Sequence, residues 1–105
     1  MPLKSQVDLF LGHNWELALP ELWRLHQSEP ENRDVTRMLV DSYYDLGVRD
    51  LLHNDAGKAA QKFSEAKNLA PDDPDVKRQL VFAQTYLTRG PDLLYQIYVR
   101  YLPIR

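Results

Sequence analysis

Residues 59–71 read AAQKFSEAKNLAP, and residues 18–30 read ALPELWRLHQSEP. Aligned on their prolines, the two stretches share a pattern. Ala59, Phe63 and Ala66 precede Pro71 at the spacings with which Ala18, Leu22 and Leu25 precede Pro30. Steps of four and three residues put each set on one face of an α-helix. Pro30 and Pro71 lack a backbone donor and disfavour helix in the residue before them, so each closes its helix. Polar, acidic links follow, Glu31-Asn32-Arg33-Asp34 and Asp72-Asp73-Pro74-Asp75. In them Asp34 or Asn32, and Asp73 ahead of Pro74, suit the cap and first turn of a new helix.

Working outward, the apolar periodicity predicts helices over 3–12, 15–28, 33–53, 56–69, 74–89 and 91–102, which pair into three hairpins. Gly12-His13-Asn14, Asn54-Asp55 and Gly90-Pro91 mark the turns inside the hairpins. The expected fold is all-α, a single domain over 1–105 with repeats at about 3–30, 33–71 and 74–102. Trp15, Trp23, Tyr43 and Phe63 fall at positions that pack helix on helix.

Leu39, Val40 and Tyr43, then Leu46-Gly47, then Ala59, Phe63, Ala66 and Pro71 resemble the signature of the tetratricopeptide repeat family, in which a helical hairpin recurs with small and large residues at fixed places. The resemblance is best in the middle repeat and weakens toward both ends. It implies a superhelix of antiparallel hairpins, about two and a half to three repeats long, whose first helices line a concave groove. One departure stands out. The Ala-to-Pro blocks are 41 positions apart against the family's about 34, and the seven extra residues, Val48 to Asn54, follow Gly47 where the family turns. Seven residues are nearly two helical turns, so the insertion can lengthen the helix in phase. Leu51 and Leu52 favour that reading by continuing the apolar stripe of Leu39 and Leu46; the alternative is a helix that ends at Gly47 with a separate turn after it.

The chain has 105 residues, 44% aliphatic or aromatic and 27% charged, the balance of a folded domain. Without cysteine there are no disulfides, thiolate metal sites or cysteine nucleophiles, which suits a reducing compartment. The apolar runs are too short to cross a bilayer, and the amino terminus reads unlike a secretory signal, so the expected place is the cytoplasm. Charge is lopsided: residues 1–76 hold 8 Lys/Arg against 14 Asp/Glu, and residues 77–105 hold 5 against 1. Five scattered basic residues make no nucleic-acid patch.

Enzyme chemistry finds no constellation. His13, His26 and His53 form no metal-ligand pair, and His53 suits a helix C-terminus. The serines lie outside any nucleophile elbow, and no phosphate loop is present. Asp72, Asp73 and Asp75 read as helix-start carboxylates, not a calcium loop. No catalytic residue, cofactor or metal is expected.

What remains is binding. The resemblance carries groove positions to Asp34, Arg37, Asp41, Tyr44 and Asp45, and to Arg78, Phe82, Thr85 and Tyr86. Arg37, Asp41, Asp45 and Arg49 stand four apart, a ladder whose charges either satisfy one another or form the mixed-charge floor of a peptide groove. Some members of the family grip a terminal carboxylate with lysine and asparagine; Asp41 stands where such an asparagine is needed, so that role is not carried over. The last helix is the anomaly: nine of the fourteen residues from Asp92 to Arg105 are apolar or aromatic, whereas a solenoid normally ends on a polar face. Leu94, Tyr95, Tyr98, Tyr101 and Leu102 therefore read as an association surface, with the tyrosines lying hydroxyl-outward on the helix as the plainer explanation. The expected function is a protein-interaction adaptor for another protein or peptide. A homodimer through the last helix, or a non-catalytic regulatory subunit of an enzyme, is the alternative.

Overall fold

A computed structural model describes residues 15–105, with the side chain of Trp15 outside the description. The expected helix at 3–12, the Gly12-His13-Asn14 turn and the packing of Trp15 fall outside it. The described residues form five α-helices and no strand: α1 Trp15–Ser28, α2 Arg33–Leu52, α3 Ala56–Leu69, α4 Pro74–Arg89 and α5 Leu93–Arg100.

Each boundary has a local cause. The Asn32 side chain accepts hydrogen bonds from the amides of Asp34 and Val35 at the start of α2, and Asp73 does the same for Asp75 and Val76 at α4. Asp55 caps α3 and Asp92 caps α5. These side-chain oxygens satisfy amides that have no partner inside the helix. Asp92 sets the start of α5 at Leu93, later than the expected 91. Bonds from Tyr101 N–H to Tyr98 and from Leu102 N–H to Val99 tighten its last turn, so the helix stops at Arg100, short of the expected 102. Gly90, with φ 72°, ends α4 in a conformation that costs glycine little.

α2 runs unbroken through Gly47 to Leu52, so the extra residues do lengthen the helix. Gly47 is there for space: a Cβ at this position would lie 2.6 Å from the Phe63 ring. Leu51 is buried, but Leu52 points to solvent and does not continue the stripe. His53 follows the last residue of α2, its Nδ1 2.8 Å from the Arg49 carbonyl oxygen.

Helices adjacent in the chain pack on one another from α1 to α4. Ala18, Ala59 and Ala66 are wholly buried, where small side chains let helices approach. The larger core joins Val40, Val48 and Leu51 of α2, Phe63 of α3, Val76, Leu80 and Ala83 of α4, and Tyr95 and Val99 of α5; a smaller one gathers Ala18, Leu22 and Leu39. Half-buried Trp23 donates its indole N–H to the Tyr43 hydroxyl at 2.7 Å, as packing residues with a polar end do.

α5 lies on α2 and α4. The Tyr95 hydroxyl donates to the carbonyl of Leu51 at 2.6 Å, and Tyr95 and Tyr98 stack on Phe82. Only one stripe of α5 is buried, Tyr95 and Val99 with Tyr98 and Leu102 half-covered. The expected association surface therefore divides. Tyr95 is 2% exposed and unavailable, because a four-residue step puts it on the core side with Val99; Leu94 at 70% and Tyr101 at 77% remain open, beside exposed Leu93 and Ile97. The hydroxyl-outward reading also fails for Tyr95 and for Tyr98, whose hydroxyl donates to Gln79 at 2.5 Å.

Candidate binding groove

Asp41, Tyr44 and Asp45 are three and four residues apart, so α2 presents them on one face. At the start of α4, Asp73 is held by its capping bonds and Asp75 lies in the first turn. The two elements meet where the Gln79 side-chain amide donates to the Tyr44 hydroxyl at 3.3 Å. Between them lies Arg105. Its guanidinium makes two parallel bonds to Asp73, Nη1 to Oδ2 and Nη2 to Oδ1, each 2.9 Å. It also reaches Asp41 and Asp75 at 3.4 Å, and lies 4.3 Å from the centre of the Tyr44 ring. The Arg105 backbone N–H donates to Asp45 Oδ1 at 2.6 Å.

The electrostatics follow from this geometry. Hydrogen bonding to Arg105 and to two backbone amides outweighs burial and holds the Asp73 carboxyl below its ordinary range. Asp41 goes the other way, because loss of water dominates over its longer contact with Arg105. The Arg105 guanidinium is made still more basic, chiefly by its bonds to Asp73. A planar fork matched to a carboxylate, over an aromatic face, is the arrangement that a guanidinium makes and an ammonium cannot.

The expected groove residues are partly brought together. Asp41, Tyr44 and Asp45 share this site, but Tyr44 and Asp45 are buried and not open floor. Phe82 and Tyr86 lie side by side under α5: Phe82 stacks on Tyr98 with centroids 4.0 Å apart, and Tyr86 meets Tyr95 edge-on. Tyr86 is buried as a result, and its hydroxyl donates to Asp92. Asp34 and Arg37 are both exposed, Arg37 lining the cavity beside this site; Arg78 is paired with Asp75 in its own turn, and Thr85 bonds the Val81 carbonyl on the outer surface. Within the ladder of α2 Arg37 acts on Asp41, but Asp41 and Asp45 also serve Arg105, and Arg49 pairs with Glu16 of α1.

Arg105, Asp73, Asp75 and Gln79 are the members that the sequence reading missed; in the sequence Asp73 and Asp75 read only as helix-start carboxylates. No local pattern announces a contact across sixty residues, although the acidic body and basic end of the chain were its signal. Among the described residues no set of three His, Asp or Glu could hold a metal, and no helix is long and apolar enough to cross a membrane. No family model, curated protein or solved structure matches the chain.

Proposed function

We propose that the chain is a protein-interaction module of the tetratricopeptide type, a cytoplasmic adaptor that holds a segment of a partner protein on the face shared by α2 and α4. The observation that carries this reading is that the face already holds peptide. Phe82 and Tyr86 receive the aromatic side chains of a helix, α5, and the acidic end receives Arg105 by side chain and backbone together. A helix laid in a groove and a charged side chain pinned at its end are common modes of peptide recognition. Packing of each helix from α1 to α4 on its chain neighbour, with buried alanines between, supports the repeat arrangement.

The test is capture from lysate by wild type, by an Arg37→Glu/Asp41→Lys variant and by a Leu94→Glu/Tyr101→Glu variant, each checked by circular dichroism and melting. Loss of the captured protein in the first variant alone, at unchanged fold, is the expected result. Retention in the first variant overturns the groove reading. A second reading is favoured by one observation, the open stripe of Leu93, Leu94, Ile97 and Tyr101 on the outer side of α5, an apolar patch that soluble monomers seldom leave uncovered. In that reading the chain self-associates through α5, and light scattering across concentrations separates it from a monomer.

A further inference from the structure

We propose that the cage formed by Asp41, Asp73, Asp75 and Tyr44 is an arginine-recognition subsite, which takes an arginine from an extended segment of a partner protein in place of Arg105. This rests on the reading of the α2–α4 face as a peptide-binding surface, and it names what that surface selects.

The acidic residues do not stand alone, because a guanidinium is seated among them. Asp73 fixes its plane with two 2.9 Å bonds, Tyr44 lies against its face, and Asp45 fixes the direction of the backbone that carries it. Lysine offers no fork to Asp73 and no flat face to Tyr44, so the cage discriminates between the two basic residues. Three carboxylates, Asp41, Asp73 and Asp75, reach the guanidinium, while Arg78 also draws on Asp75 and Arg37 on Asp41. Beside Arg105 a cavity of about 310 Å³, lined by Pro30, Glu31, Arg33, Arg37, Val40 and Ala70, has room for an apolar or acidic side chain next to the arginine of such a segment.

The internal occupant is lightly held outside the cage. Of the residues that lead to Arg105, Tyr101, Pro103 and Ile104 are exposed, and only Leu102 is partly buried against the core. A short tether nevertheless gives Arg105 a local concentration of about millimolar, so an external arginine must compete with it. Residues 101–105 thus set a threshold that a partner overcomes by adding contacts along the groove.

The experiment is fluorescence anisotropy with a labelled peptide of residues 101–105, blocked at both ends, and with copies carrying lysine or citrulline in place of arginine. The proteins are the full chain, its Arg105→Ala variant and an Arg105→Ala/Asp73→Asn variant; asparagine keeps the cap of α4 while removing the charge. Emptying the cage is expected to tighten binding of the arginine peptide by at least about tenfold over wild type, because the tethered competitor is gone. Citrulline, which is uncharged, and lysine are each expected to bind about tenfold more weakly than arginine, and Asp73→Asn to erase that preference. Equal binding of the arginine and citrulline peptides overturns the proposal, as does equal binding of the arginine peptide to wild type and to Arg105→Ala. If Arg105→Ala does not fold, Arg105→Lys replaces it, since lysine keeps the charge that separates the carboxylates; the same outcomes decide. Capture from lysate that depends on the groove charges, without any arginine preference, overturns this inference and leaves the function standing. An arginine preference with capture that ignores those charges does the reverse.

Discussion

Alanine at position 47 would put a methyl group 2.6, 2.7 and 3.0 Å from three atoms of the Phe63 ring, where ordinary carbon contacts need about 3.5 Å or more. The ring has little room to yield. Phe63 is fully buried and meets Tyr44 edge-on at 5.6 Å, so turning it disturbs the residue that supports Arg105. Overpacking of this kind costs about 1–3 kcal/mol, and the better helix propensity of alanine returns about 1 kcal/mol. The net expectation for Gly47→Ala is a loss of up to about 2 kcal/mol, or a fall in Tm of up to about 15 °C for a chain of this size. Gly57→Ala is the internal control. Its added methyl meets only Asp55 at 3.6 Å and Leu87 at 3.9 Å, which is ordinary contact, so propensity should prevail and the melt should hold or rise. Thermal melts by circular dichroism read both. A Gly47→Ala chain that melts above wild type would refute the close crossing of α2 and α3, and with it the reason that the helix runs on through a glycine.

Tyr95→Phe removes the buried hydroxyl that donates to Leu51, whose carbonyl keeps the Asn54 N–H; a loss of about 0.5–1.5 kcal/mol by urea denaturation is expected, and no loss would mean that α5 does not dock on α2. The Asp73 carboxyl is held below its ordinary range by Arg105, so folded protein binds fewer protons there than unfolded protein does, and its contribution is present above the unfolded value of about 3.9. The stability gap between wild type and Asp73→Asn should be constant near neutral pH and close as pH falls below that value; a gap unchanged down to pH about 3 would contradict it.

The helices were legible because their causes are local. Pro30, Pro71 and the caps Asn32, Asp55 and Asp73 mark boundaries within a few residues of themselves, and the buried Ala18, Ala59 and Ala66 announce crossings by period alone. The groove and the last helix were each visible as unusual surfaces, Tyr44, Phe82 and Tyr86 on one side and Tyr95 and Tyr98 on the other. That these surfaces cover one another was not visible. Period distinguishes the faces of one helix but cannot say which distant helix meets them, and the excess of apolar residues in α5 fits a foreign partner as well as its own groove. Arg105 was hidden for the same reason, since its partners lie 30 to 64 positions away.

The central claim is that the chain's own arginine fills the acidic end of the α2–α4 face, and a double-mutant cycle in stability between Asp73→Asn and Arg105→Ala tests it most directly. The two side chains are 20% and 23% exposed, dry enough for a charge-assisted bidentate pair to be felt yet not so buried that its loss must unfold the chain. The account predicts a coupling of about 1.5 kcal/mol or more, in the range for hydrogen bonds between charged groups. Effects that add to within about 0.3–0.5 kcal/mol, as independent sites do, would contradict it and remove Arg105 from the groove.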